Sequence, residues 1–294
     1  MRTANQSGRL VLIQGATAID VSIASGGRFS PDPQAVYEVW DEFSAWAQGL
    51  GIVGGAPFDA TALGAPVPRP RQVFGIGLNY RAHAVEAKLG IPEAPPTFTK
   101  FPSCIAGPHD EIRLPSAFVD WEVEVAVVIG RRAHDVRAAE AWAHVAGVTV
   151  GQDISERQVQ MRPPVPQFSL GKSYTGFGPT GPVLVTPDEF DDPDDLELGC
   201  LLNGEQVQHG RTSDLIFPVP ALIEFLSSIL TLYPGDVIFT GTPAGVGIGH
   251  TPARYLAPGD ELVSFVTGVG AMRNVCAAAA EETGVLAVAG TGSD

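Results

Sequence analysis

Two glutamates, Glu122 and Glu124, lie in the run Trp121-Glu-Val-Glu-Val-Ala-Val-Val-Ile-Gly130, which alternates like a β-strand. Successive strand side chains point to opposite faces, so Glu122, Glu124, Ala126 and Val128 share one face. Like charges so placed on a partly buried face repel, and either a proton or a cation must relieve them. A second strand-like run, Val148-Thr-Val-Gly-Gln-Asp153, follows a turn expected at Gly147 and ends on a third acid. Three carboxylates from adjacent strands make a hard, all-oxygen site with positions open to water and substrate, as Mg²⁺ and Mn²⁺ prefer. On spacing alone, a solvated strand face with Asp153 as a turn or cap residue is the commoner reading, because Glu-x-Glu is weakly specific.

Other residues could act beside such a site. His83 and Glu86 are three apart, which puts them on one face of a helical turn where the carboxylate can orient the imidazole as a base. The bland alternative is a solvated surface pair. Arg157 and Gln160 are also three apart and, by helical spacing, could share a face with Asp153; a guanidinium there can hold a carboxylate in bidentate fashion. Lys172 in Gly171-Lys-Ser173 invites a phosphate-loop reading, but Pro166 stands where that motif needs glycine. Gly75-Ile-Gly77 meets Tyr80 where a dinucleotide fingerprint needs its third glycine, which excludes that cofactor class. Thr240-Gly-Thr242-Pro243 reads equally as a plain turn. His109, His134, His144, His209 and His250 have no comparable partner in sequence and receive no role.

Several elements must position these groups. Residues 1–65 read as a small N-terminal domain with a strand near Leu10–Ile13 and a helix over about Pro33–Leu50. In that helix Val36, Trp40, Phe43, Ala47 and Leu50 form one apolar stripe that has to pack on something. A Gly- and Pro-rich connector over Gly51–Arg71 leads into the body, residues 66–276. There, short apolar runs between Gly and Pro turns favour an α+β, β-rich fold. Asn203-Gly204 predicts a hairpin between Leu196–Leu202 and Glu205–Gln208. Strands are expected at Val237–Thr240 and Glu261–Val266, and helices at Val136–Ala146, with Asp135 as N-cap, and at Val219–Leu230. Residues 277–294 read as a flexible tail.

The chain has 294 residues and 45% hydrophobic content, enough for a sizeable core. Its formal charge of −15 argues against nucleic-acid and membrane partners. Three widely spaced cysteines, Cys104, Cys200 and Cys276, suggest neither a disulfide framework nor a zinc ribbon and fit a reducing cytoplasm. No signal peptide or spanning segment is read from the sequence.

Four segments in this order resemble the fumarylacetoacetate hydrolase family, and the acylpyruvase-like branch of it. They are Gly77-Leu-Asn-Tyr-Arg-Ala-His83-Ala-Val-Glu86, the Glu122-x-Glu124 strand, Gly151-Gln-Asp153-Ile-Ser-Glu-Arg157-Gln-Val-Gln160 with Gly171-Lys172-Ser173, and Thr240-Gly-Thr242-Pro-Ala-Gly-Val-Gly247. The likeness spans about residues 70–268. It implies a mixed, β-roll-like body with a small N-terminal domain, a homodimer, and one Mg²⁺ or Mn²⁺ per chain on Glu122, Glu124 and Asp153. It also implies that Lys172 reaches the bound oxo-acid substrate, that Arg157, Gln160 and Thr242 hold its carboxylate and oxygens, and that His83 with Glu86 is a catalytic pair on a segment that orders over the ligand. The implied activity is hydrolysis of a carbon–carbon bond in 2,4-dioxo acids of the acylpyruvate or fumarylpyruvate type, through a metal-stabilised pyruvate enolate, as in aromatic catabolism. The alternatives are an oxaloacetate-type decarboxylase, an isomerase of oxo or hydroxydienoate acids on the same site, or a non-catalytic binder of metal or small acids. Met161-Arg-Pro-Pro-Val-Pro166 departs from the family pattern beside the expected pocket, which points to it as a selectivity element.

Overall fold

A computed structural model describes residues 1–51 and 54–279. Its principal strands are β1 (Arg2–Gln6), β2 (Arg9–Gln14), β3 (Thr17–Asp20), β4 (Val73–Ile76), β5 (Thr97–Thr99), β6 (Val123–Ile129) and β7 (Val145–Gln152), followed by β8 (Gly178–Val185), β9 (Glu197–Leu202), β10 (Glu205–Arg211), β11 (Val237–Phe239), β12 (Glu261–Val266) and β13 (Gly270–Ala278). Besides one turn at Val21–Ala24, the helices are also short: α1 (Trp40–Gln48), α2 (Arg81–Glu86), α3 (Arg157–Gln160), α4 (Phe168–Gly171) and α5 (Val219–Ile229). The fold is therefore α+β and β-rich, as the sequence predicts.

The largest sheet runs in the order β3-β2-β1-β8-β7-β6-β11-β4-β5 along its principal strands, and a five-stranded sheet runs β10-β9-β12-β13 to Ile112–Leu114. Strand β6, inside the largest sheet between β7 and β11, is buried on both faces. Val123, Val125, Val127 and Ile129 enter the core shared with Leu198, Leu262 and Met272 of the second sheet. Ala126 and Val128 face the other way, toward Leu12, Trp40 and Phe43. This is the period-two division expected from the sequence, and it directs Glu124 to the face opposite the inter-sheet core. The N-terminal unit expected over residues 1–65 shares both a sheet with the body, through β1–β8 pairing, and this second core.

The apolar stripe of the first helix is borne out at Val36, Trp40 and Phe43, all buried, although the chain there is a 3-10 turn, Ala35–Val39, running into α1. Asn203 and Gly204 take φ of 52° and 82° at the β9–β10 hairpin, the left-handed values that favoured Asn-Gly there.

Three local expectations are corrected. Val136–Ala146 is not an α-helix but a 3-10 segment over Ala138–His144, and Asp135 has φ of 53°, so it does not cap it. The Val136 and Ala138 amides instead bond Ser227 Oγ and Glu224 Oε1 of α5, so tertiary partners replace a local cap. Gly147 is no turn: it lies inside β7, where a Cβ would stand 2.6 Å from the Val185 carbonyl oxygen of β8. Asp153 does not share a helix face with Arg157 and Gln160, because Ser155–Glu156 is extended and α3 begins only at Arg157. Ala277 and Ala278 belong to β13, and residues 280–294 of the expected tail lie outside the described residues.

Gly171 closes α4 against α3. A Cβ there would stand 2.6 Å from the Gln160 nitrogen and 2.8 Å from the Glu156 carbonyl oxygen, both backbone atoms that cannot swing aside. Gly171→Ala should therefore lower stability by about 1–3 kcal/mol, the usual cost of overpacking. Chemical denaturation checks this, and an unchanged midpoint would show that the two helices pack less closely than described.

Candidate active site

Antiparallel pairing of β6 with β7 sets Glu124 opposite Gly151 and Val123 opposite Gln152, and the Asp153 amide donates to the Glu122 carbonyl at 2.9 Å. The strand ends thus bring the three expected acids together. Glu122, Glu124 and Asp153 are all buried, and each offers a carboxylate oxygen within 4.8 Å of the others. Gln152 turns to the opposite side, where its amide bonds Ser264 Oγ and its carbonyl receives the Glu122 amide.

Cations surround the acids. Lys172, just past α4, donates to Glu122 Oε2 at 2.8 Å, Asp153 Oδ2 at 2.6 Å and Ser155 Oγ at 2.8 Å. Burial opposes its charge, but Asp153 and Glu122 outweigh this and raise its pKa. Burial would likewise raise the Glu122 carboxyl, yet Lys172 and Arg157 bring it down to about 2. Glu124 goes the other way: burial first, then Asp153 and Glu122, push it well above the ordinary carboxylate range. One Glu124 oxygen accepts from the Gly241 amide at 2.7 Å. Glu124 is the acid whose ionisation nothing nearby compensates, and the donor set is all oxygen. Both features fit a hard divalent cation.

Three residues expected to hold substrate are placed differently from one another. Arg157 lines the cleft, but its Nε and Nη2 donate to Asp120 Oδ2 at 2.9 and 2.7 Å, while Nη1 bonds Glu122 Oε1 at 2.7 Å and Gln160 Oε1 at 2.9 Å. The guanidinium therefore holds Glu122 in place, and Gln160 supports it. The Thr242 hydroxyl donates to the Val123 carbonyl and accepts from Gln208, so it ties the Thr240–Pro243 turn to β6.

On the other wall, His83 Nδ1 lies 2.9 Å from Glu86 Oε2 in α2. A carboxylate can only accept, so Nδ1 carries the hydrogen and Nε2 of the neutral ring is left as the basic nitrogen. The second Glu86 oxygen accepts from the Gly245 amide at 2.9 Å. Burial would raise Glu86, but these two bonds hold its carboxyl below the ordinary range. His83, Glu122, Arg157 and Lys172 face one cleft of about 720 Å³. Its remaining wall is largely apolar, with Phe98, Phe168, Val246 and Ile248.

Sequence reasoning missed five contributors. Lys100 and Asp120 are fully buried ionic partners of the cluster, Ser155 receives Lys172, and His250 lines the cleft with Lys88. No spacing signal joins Lys100 or Asp120 to the acids. Pro163–Pro166 is exposed and does not line the cleft, whose wall takes Met161 before it and Phe168 after it.

Residues 72–277 match the family described as fumarylacetoacetate (FAA) hydrolase C-terminal. This chain belongs to the fumarylacetoacetate hydrolase family. It is 47% identical over 212 residues to human oxaloacetate tautomerase FAHD2A, mitochondrial, covering 71% of this chain and 68% of that one. A Mycobacterium smegmatis protein described as HpcE has 54% identity and a TM-score of 0.91, over 95% of this chain and all of its own. The maleylpyruvate hydrolase of Sphingobium sp. SYK-6, solved with manganese(II) and pyruvate, has 28% identity and a TM-score of 0.74 over 95% of this chain and 100% of that one. A hydrolase and a tautomerase thus both stand among the similar proteins. Among the described residues, no helix is long and apolar enough to cross a membrane.

If the three acids act together on a cation, removing Glu124, the one with no cationic side chain bonded to it, should weaken binding. Glu124→Ala should lose at least tenfold in Mn²⁺ affinity by calorimetry while keeping its fold, and wild-type affinity would remove Glu124 from the set.

Proposed function

We propose that this chain is an enzyme of 2-oxo acid enolisation, and that its leading activity is interconversion of the keto and enol forms of a short 2-oxo dicarboxylic acid. The observation that carries this reading is the His83–Glu86 pair, fixed by the Gly245 amide and facing Glu122 and Lys172 across one cleft. The 47% identity to an oxaloacetate tautomerase supports the same reaction class.

In this reading Glu122, Glu124 and Asp153 hold a divalent ion, Mg²⁺ or Mn²⁺, which when bound supplies positive charge for a 2-oxo oxygen as it becomes enolic. Lys172 lends its ammonium to the same end of the substrate. His83 Nε2 takes a proton from the carbon beside the oxo group and returns it to the oxygen. Glu86 keeps the Nδ1 proton in place and stabilises the imidazolium between the two transfers. The apolar walls keep bulk water away. Lys88 and His250, at the outer part of the cleft, would meet the second carboxylate of a diacid.

Hydrolysis of an acylpyruvate is the second reading, favoured by the size of the cleft, about 720 Å³, and by the resemblance to a maleylpyruvate hydrolase. His83 would then take its proton from water instead of carbon. A homodimer and a cytoplasmic location belong to the proposal; three buried free thiols suit a reducing compartment.

Enol loss from oxaloacetate and cleavage of acylpyruvates, measured side by side with Mg²⁺ and Mn²⁺, decide between the two. Faster oxaloacetate tautomerisation is expected; cleavage of acylpyruvates at a higher kcat/KM would establish the second reading. His83→Ala should lower kcat by about 10²- to 10⁴-fold with Mn²⁺ affinity kept, and an undiminished rate would exclude His83 as the base. In the same assays Lys88→Met should raise KM by up to about fivefold for a diacid only, since an exposed ion pair contributes roughly 0.2–1 kcal/mol.

A further inference from the structure

Lys100 lies just beyond β5, with no exposed surface, and it does not line the cleft. Its backbone amide donates to the Val73 carbonyl of β4, and the next amide, Phe101, donates to Ser173 Oγ. The side chain therefore reaches the acids from behind. An ammonium has three hydrogens, and all three have partners here: Asp153 Oδ1 at 2.6 Å, the Phe177 carbonyl at 3.1 Å and the Lys172 carbonyl. The charge also sits 5.7 Å from the Phe239 ring centre, on β11. Asp153 thus has Lys100 on one oxygen and Lys172 on the other.

We propose that Lys100 is a positioning residue that holds Asp153 as a one-oxygen metal ligand and fixes the backbone of Lys172, joining the metal site to the substrate-facing lysine. The proposal rests on the reading of Glu122, Glu124 and Asp153 as a metal site. With Oδ1 taken from behind by Lys100, Oδ2 is the Asp153 oxygen left to face the other two carboxylates, on the side where Lys172 also meets it. The bond to the Lys172 carbonyl sets where that side chain starts, and so where its ammonium can reach. One buried group therefore governs both metal affinity and the placement of the cation that meets the substrate.

Two effects of removing Lys100 have opposite signs, and this makes the inference testable. Coulomb's law alone says that a cation beside a metal ligand repels the metal, so its loss should tighten binding. Loss of positioning should weaken binding, and groups that orient metal ligands typically contribute 10- to 100-fold in affinity or activity. Lys100→Met keeps the length of the stem without the charge, and Lys100→Gln keeps a donor.

Calorimetric titration of wild type, Lys100→Met and Lys100→Gln with Mn²⁺, alongside thermal melts, gives the answer. The expected result is Mn²⁺ affinity about 10- to 100-fold weaker in Lys100→Met, a smaller loss in Lys100→Gln, and a lower kcat in both. A folded Lys100→Met protein that binds Mn²⁺ as tightly as wild type, or more tightly, would overturn the proposal and leave Lys100 a charge-balancing group. Absence of Mn²⁺ binding in wild type would instead overturn the metal reading itself. Should neither variant fold, the Nζ resonances of wild type answer: the buried ammonium signal that persists in Lys172→Met is that of Lys100. It should shift on saturation of wild type with Mg²⁺, and a signal that does not move contradicts the proposal.

Discussion

Asp120, Glu122, Glu124 and Asp153 are buried beside Lys100, Lys172 and Arg157, and every other feature of the site follows from how this charge is balanced. Ions taken out of water are costly unless each lies against an opposite charge with its remaining hydrogen bonds made. Asp120 is satisfied by Arg157 and the amides of Gly247 and Ile248, and Asp153 by the two lysines. Glu122 lies between Lys172 and Arg157. Glu124 alone among them has no cationic side chain bonded to it, only the Gly241 amide. The cluster is consequently unbalanced at one point, and a divalent cation binding there would remove the imbalance while presenting positive charge to the cleft.

The fold supplies the rigidity this balance needs. Burying β6 on both faces between two cores fixes its end, and with it Glu122 and Glu124. Pairing with β7 delivers Asp153, and the turn after β11 supplies Gly241 and Thr242 from the other side. The base is mounted differently. His83 and Glu86 stand on a short helix whose Val85 is 78% exposed, and they are tied to the body through the Gly245 amide. Rigid strands thus carry the charged floor, and a lighter, more exposed element carries the proton-transfer group.

The part of this arrangement that was legible in the sequence is the part governed by local periodicity. Alternation in Trp121–Gly130 put Glu122 and Glu124 on the face of Ala126 and Val128, because period two is a property of a single strand. Asn203-Gly204 revealed its hairpin for a similarly local reason, the left-handed φ at both positions. The three-residue spacing of His83 and Glu86 survives as a real hydrogen bond for the same reason. What was not legible depends on distant partners. Lys100 is 53 residues from Asp153 in sequence, and nothing near it suggests a buried ammonium. The bonds of Arg157 to Asp120 and Glu122 reach residues 37 and 35 positions earlier, so the role they give it cannot be read along the chain. Gly147 read as a turn because the close approach of Val185, which requires a glycine inside β7, is invisible along the chain.

The central claim is that one cleft joins a divalent ion on three carboxylates to a histidine base. Anomalous diffraction from crystals grown with Mn²⁺ and oxalate, an enolate mimic, tests both halves in one experiment. The account predicts a single manganese peak bound by one oxygen each of Glu122, Glu124 and Asp153, with His83 Nε2 turned toward the bound oxalate. A manganese peak outside this triad, or oxalate bound with His83 facing away from it, would contradict the account.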